Sequence, residues 1–259
     1  MTRPIRLGVQ VQPQHALYPK IRDTVRELED LGVDILFNWD HFFPLHGGDR
    51  NGLHFEAWTM MGSWAELTSR VEFGTLVSCN SYRNPDLQAD MARTIDHMSG
   101  GRFIFGTGSG WFEKDYDEYG YEFGTAGQRL DALADAMPRI EHRWAKLNPP
   151  PLRKIPVLIG GGGEKKTMKI AAKHADIWHS FTPAADLPRK LGILRDHCES
   201  VGRDVNEIEI SNEPRVKDLA IADELVAHGV TLLTMGISGP DYDLTVVKQW
   251  LKWRDAQNA

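Results

Sequence analysis

Asp40-His41-Phe42 lies two residues past the apolar run Asp34-Ile35-Leu36-Phe37-Asn38. A carboxylate beside an imidazole, followed by the glycine-rich stretch His46-Gly47-Gly48-Asp49-Arg50-Asn51-Gly52, is the material of an acid–base centre at a strand's carboxyl end. His41 is the candidate proton donor or acceptor, because imidazole titrates near neutral pH. An isolated Asp-His pair equally suits a capped turn with an ordinary loop histidine, so the rest of the chain has to decide.

Three further stretches carry polar or glycine-rich chemistry. Ser78-Cys79-Asn80-Ser81-Tyr82-Arg83-Asn84-Pro85 offers hydroxyl, thiol and amide groups, with Asn84-Pro85 suited to open a helix. No base is identifiable beside Cys79, which reads as a small buried residue rather than a nucleophile. Gly106-Thr107-Gly108-Ser109-Gly110-Trp111-Phe112 lets backbone amides approach a ligand and supplies two rings that can stack on a flat one. Gly160-Gly161-Gly162-Gly163-Glu164-Lys165-Lys166-Thr167 opens a helix with a cradle of amides for an anion, and two lysines follow. Its spacing is neither that of a P-loop nor that of a dinucleotide fingerprint. His41, His46 and His54 with Asp40 and Asp49 match no compact ligand spacing, and no metal is expected.

Apolar runs and amphipathic stretches alternate to position these groups. Strands are expected at Ile5–Val11, Asp34–Asn38, Val71–Val77, Arg102–Gly106, Val157–Gly160, Ile177–His179, Ile208–Ser211 and Thr231–Met235. Helical spacing covers Tyr18 to Leu31, ended by Gly32, then about Phe55–Ser69, Pro85–Met98 and Ala126–Trp144. Strands this short and apolar suit a parallel sheet covered by helices. Eight of them alternating with helices favour a closed (β/α)8 TIM barrel over an open doubly wound sheet, as a single domain over residues 1–259. Asn148-Pro149-Pro150-Pro151 is a stiff connector, too short to divide the chain.

Composition narrows the function classes. With 259 residues, 41% of them hydrophobic and 25% charged, the chain has the make-up of an ordinary globular protein with a sizeable core. A formal charge of −6 and no basic block argue against a nucleic-acid surface. Two cysteines are too few for a disulfide framework. Met1-Thr2-Arg3-Pro4-Ile5-Arg6 runs into the first strand without a signal peptide, and no apolar run nears the ~20 residues of a membrane span. The expectation is a cytoplasmic protein.

The motifs together resemble the luciferase-like monooxygenase superfamily, in its actinobacterial branch of oxidoreductases dependent on coenzyme F420. Asp40-His41, Gly74-Thr75-Leu76-Val77, Met98-Ser99-Gly100-Gly101-Arg102 with Gly108-Ser109-Gly110-Trp111-Phe112-Glu113, and Ile159-Gly160-Gly161-Gly162-Gly163 carry the resemblance. It implies a barrel that binds a deazaflavin, or FMN, at its C-terminal mouth. Asp40 and His41 would lie beside the ring, and Leu76–Val77 would be a non-proline cis bulge backing it, with Ser78 and Asn80 following. Gly108, Ser109, Gly110 and Trp111 would line ring or tail, and Gly160, Gly161, Gly162 and Gly163 would hold the phosphate. Trp111 falls where sugar-phosphate dehydrogenases of the group carry a glutamate proton donor, which argues against their substrate. The stretch from Trp144 to Ile155 is shorter than the insertion common in relatives, leaving a more open mouth.

The expected activity is hydride transfer between coenzyme F420 and a small organic substrate. An FMN-dependent monooxygenase of the same fold is the alternative. A non-catalytic flavin-binding protein stays open too, as does a barrel lyase or isomerase taking a sugar phosphate at Gly160–Gly163. A homodimer is expected by the same resemblance; the eight tryptophans, among them Trp58, Trp64, Trp250 and Trp253, add a slight hint of a partner surface.

Overall fold

A ring of parallel strands forms the centre of the molecule. The computed structural model describes residues 3–215 and 218–259, so Met1 and Thr2 of the N-terminal run lie outside the described residues. The strands are β1 (Arg6–Val11), β2 (Ile35–Asn38), β3 (Glu72–Thr75), β4 (Ser78–Cys79), β5 (Phe103–Gly108), β6 (Val157–Gly160), β7 (Ile177–Ser180), β8 (Glu209–Asn212) and β9 (Leu232–Ile237). They lie in the order β3-β2-β1-β9-β8-β7-β6-β5-β4, and β3 also pairs with β5, which shuts the ring. β3 and β4 both run along β5, so they are one stave interrupted at Leu76-Val77, and the ring has eight staves. The Leu76–Val77 peptide is cis. This is the (β/α)8 barrel that the alternation predicts.

The outer layer is α1 (Tyr18–Asp30), α2 (Ala57–Leu67), α3 (Pro85–Met98), α4 (Glu113–Tyr119), α5 (Ala126–Lys146), α6 (Thr167–His174), α7 (Leu187–Ser200), α8 (Leu219–Ala227) and α9 (Thr245–Asn258). Local chemistry sets several starts. Asn84 accepts the amides of Asp86 and Leu87 with Pro85 in the first turn of α3, and Glu56 caps α2 through Trp58 and Thr59. Thr125 and Gln128 form a capping box on α5. The short α4 was not anticipated: four of its seven residues are acidic, and Gly120 ends it at φ 70°.

Two apolar layers separate cleanly. Inside the ring, Ile35, Phe37, Leu76, Ile104, Leu158, Ile177 and Leu232 fill the barrel. Between ring and helices runs a larger core that takes in Trp58, Trp64, Trp178 and Trp250. Trp253 packs against that core with its Nε1 on Asp223, so the tryptophans singled out above are accommodated within one chain.

The N-terminal end of the ring is closed by charge. Arg6 pairs with Glu72 at 2.8 Å and with Glu209, and Arg153 also reaches Glu72. Arg102, from the Met98–Arg102 motif, donates to the carbonyls of Ala65, Thr68 and Val71. That motif therefore clamps α2 to the start of β3, a structural role. The open end is the opposite one.

Candidate active site

The strand ends at the C-terminal mouth enclose a cavity of about 460 Å³. That volume suits a small organic ligand or part of a cofactor. Gln10 and Gln12 reach it from β1, Trp39, Asp40 and His41 from β2, and Leu76, Val77, Ser78 and Cys79 from the interrupted stave. Gly108, Ser109, Gly110 and Trp111 come from β5, Gly160 and Gly161 from β6, His179 and Phe181 from β7, and Glu213 from β8. Most residues expected at the site thus meet in one place. Asn80, Gly162 and Gly163 do not line the cavity. Asn80 is buried behind it, with its Oδ1 unbonded, and the two glycines lie on the way from β6 to α6.

Asp40 and His41 are adjacent in sequence but do different jobs. The Asp40 carboxylate is fully buried and held by Arg83, 2.5 Å and 3.0 Å to its two oxygens, with the Cys79 amide as a third donor. Arg83 also pairs with Glu56, the cap of α2. Burial pushes the Asp40 carboxyl up from its ordinary range against the pull of Arg83. Its oxygens are committed to the frame, and it fixes the loop that presents His41.

His41 has a partner that sequence reasoning missed. Its Nδ1 lies 2.7 Å from Oδ2 of Asp115, a residue of α4 with no exposed surface. The Tyr82 hydroxyl donates to the same oxygen at 3.0 Å, and the Phe42 amide donates to Oδ1. Burial, with Cys79 and Asp115 nearby, pushes the Tyr82 hydroxyl up, so it stays a donor. Three donors converging on one carboxylate put the His41 proton on Nδ1 and leave Nε2 for a ligand. The ring is boxed edge-on by Trp39, Trp111 and Phe112 at centroid distances of 5.8, 5.7 and 5.5 Å. Trp111 is carried past Gly110, which sits at φ 79°; a β-carbon there would come within 2.4 Å of Cys79 Sγ and closer still to the Tyr116 hydroxyl. Cys79 is bonded to that hydroxyl, and burial holds its thiol above the ordinary range, which is no setting for a nucleophile.

Two other histidines are neutral for a stated reason. Burial lowers His54 to about 4, and its Nε2 accepts the Trp39 indole N–H. Burial lowers His179 to about 3; its Nδ1 meets the Ser211 hydroxyl at 2.9 Å while Nε2 has no partner. His179 is at the end of a strand the sequence located, and its position was the available signal. Among the described residues no group of three or more His, Cys, Asp or Glu side chains comes together as a metal site.

The four glycines divide into kinds. A β-carbon on Gly160 would meet Val77 at 2.8 Å and one on Gly163 would meet the Thr167 hydroxyl at 2.7 Å, while Gly161 has φ 124°. The fold itself demands those three. Gly162 is different: its β-carbon would find only Thr182 Oγ1, at 3.7 Å, and its φ is not left-handed. The Gly161 amide is bound to the His179 carbonyl. Among the described residues no protein acceptor takes the amides of Gly162 or Gly163. They precede α6, whose N-cap makes no side-chain hydrogen bond. An anion is the natural occupant of that cluster of donors. Lys166 does not contribute, being turned to Asp131 and the Gly127 carbonyl; the cation beside the glycines is Lys190 of α7, on the Gly162 carbonyl at 2.7 Å.

Comparison with known proteins bears on the family and the fold. The family model described as luciferase-like monooxygenase matches residues 3–216. An uncharacterized protein of Mycobacterium tuberculosis is 28% identical over 170 residues, which are 60% of this chain and 60% of that one. The F420-dependent glucose-6-phosphate dehydrogenase of Microbacterium testaceum is 25% identical over 237 residues, 83% of this chain and 69% of its own. Among solved structures, an F420-dependent secondary alcohol dehydrogenase in complex with an F420-acetone adduct matches with a TM-score of 0.83. That match covers 95% of this chain and 98% of the other at 16% identity, a likeness of fold alone. Among the described residues no helix is long and apolar enough to cross a membrane.

Proposed function

The chain belongs to the luciferase-like monooxygenase family, and on that premise we propose that it is an oxidoreductase transferring a hydride between coenzyme F420 and a small organic substrate. The observation that carries the reading is the meeting, at one barrel mouth, of a tautomer-fixed histidine and a glycine turn with unbonded amides. The residues present fit such a cofactor. Gly162 and Gly163 with the first turn of α6 would hold its phosphate, and Leu76, Val77, Ser109 and Trp111 would border its ring. Such a cofactor would supply the hydride chemistry when bound.

The chain's own part is orientation and proton handling. Asp115 holds Nδ1–H of His41, so Nε2 is the atom that meets the substrate. When a carbonyl is reduced, Nε2–H gives its proton to the developing alkoxide, and the buried carboxylate of Asp115 stabilises the imidazolium before that transfer. In the reverse direction neutral Nε2 takes the hydroxyl proton. Trp39, Trp111 and Phe112 keep the imidazole from rotating and keep bulk water off its flank.

Titration with coenzyme F420 and separately with FMN, followed by each cofactor's own spectrum, tests the reading. Tight F420 binding with weak FMN binding supports it. The reverse order moves the protein to an FMN-dependent monooxygenase, and binding of neither overturns it. At saturating cofactor, His41→Ala is expected to slow hydride transfer by roughly 10²–10⁴ in stopped flow, the range for a lost acid–base group.

A further inference from the structure

The charge inventory of the cavity says what kind of molecule it can take. Among the described residues that line it there is no lysine and no arginine. Its two carboxylates are Asp40, engaged by Arg83, and Glu213, which accepts the Gly236 amide. Its imidazoles include His179, kept neutral by burial. Three cations on nearby elements are committed elsewhere. Lys114 lies over the Phe43 ring and bonds Asn51, Arg129 bonds the Gly110 and Phe123 carbonyls, and Lys190 bonds Gly162 and Glu164. Among the described residues the cavity's own lining then offers an anion no lysine or arginine, and the amides after Gly161, beside the cavity, go to the cofactor phosphate in the proposed function.

The rest of the mouth is aromatic and open. Trp111 is 63% exposed and Phe181 57% exposed. They stand at the ends of β5 and β7, the staves on either side of β6 and its glycine turn. Trp111 is also edge-on to His41. Two large rings left uncovered on one cavity rim, Trp111 against His41 and Phe181 against His179, form a surface for an apolar flank.

We infer that the substrate is a neutral molecule with an apolar flank laid against Trp111 and Phe181 and its reacting oxygen toward His41, and that phosphorylated or carboxylated substrates are rejected. This rests on the oxidoreductase reading and names the substrate class of that same site. An anion entering here would lose water without gaining a countercharge, which in a partly buried site corresponds to at least ~100-fold weaker binding.

The test separates the two ideas. Cofactor titration comes first and judges the oxidoreductase reading alone. Equilibrium dialysis then compares 2-acetylnaphthalene with 6-acetyl-2-naphthoate, matched in shape and differing by one carboxylate, on the loaded protein, or on the bare protein if neither cofactor binds. The neutral ketone is expected to bind at least ~100-fold tighter. Phe181→Lys, at an exposed position where folding is not at stake, is expected to bring the pair within ~10-fold. A ratio below ~10 in the unaltered protein, or a ratio unmoved by Phe181→Lys, overturns the inference.

Discussion

Gly162→Val isolates the anion cradle from the fold that carries it. Replacing Gly161 would be ambiguous, because φ 124° strains any side chain there. At Gly162 the new β-carbon meets one atom, Thr182 Oγ1, at an ordinary 3.7 Å. The apo-protein should therefore keep its fold, and the loss of unfolded-state freedom should add up to about 1 kcal/mol of stability. What changes is the approach to the amides of Gly162 and Gly163. A hydrogen bond to a charged group contributes about 1.5–3 kcal/mol, so losing one raises the cofactor's dissociation constant roughly 10- to 100-fold. Fluorescence titration with F420 and FMN measures it, alongside thermal unfolding of the apo form. A variant that melts like the parent and binds its cofactor equally well would refute the assignment of the cradle.

Asp115→Asn should cost roughly 10⁴ in turnover, because the amide must turn an N–H toward one of three donors and allows His41 the opposite tautomer. The rate–pH profile at saturating cofactor checks it, and Asp115→Glu should restore part of the rate. Arg83→Met leaves the Asp40 carboxylate buried without its countercharge and should destabilise by about 3–5 kcal/mol in urea unfolding, with Asp40→Asn/Arg83→Met recovering much of that. His54 and His179 are lowered to about 4 and about 3, so the unfolded chain takes up their protons first as pH falls below about 6.5. Their contribution is complete above that pH and declines toward pH 4, by up to about 1.4 kcal/mol per pH unit for each. His54→Gln keeps an acceptor for Trp39 and should remove one histidine's share of the slope between urea midpoints at pH 7 and pH 4.5.

Elements and site were legible in the sequence to different depths. The staves showed because each is a short apolar run between amphipathic segments, and Asp40, His41 and Trp111 showed because each closely follows such a run. The role of Asp40 did not show, since Arg83 and Glu56 are brought to it only by closing the ring. Asp115 stands 74 residues from His41 on a short acidic helix without apolar periodicity, so no spacing rule joins them. The glycine run was plain, but Gly160 and Gly163 are set by Val77 and Thr167 while Gly162 is not, and that division exists only in three dimensions.

The seam between β1 and β9 has a consequence for how the molecule comes into being. Six pairs, from Arg6↔Leu232 to Val11↔Ile237, join the first stave to the last. A ribosome adding about 5–20 residues per second releases β9 roughly 10–45 s after β1. Through that interval β1 keeps an open edge, the kind of strand face that recruits foreign chains. The part of the cavity wall supplied by Gln10 and Gln12 stays unshaped until β9 arrives. Synthesis of β9 and assembly of the site are thereby tied together, and aggregation in that window, rather than low final stability, is where expression of this barrel should fail first.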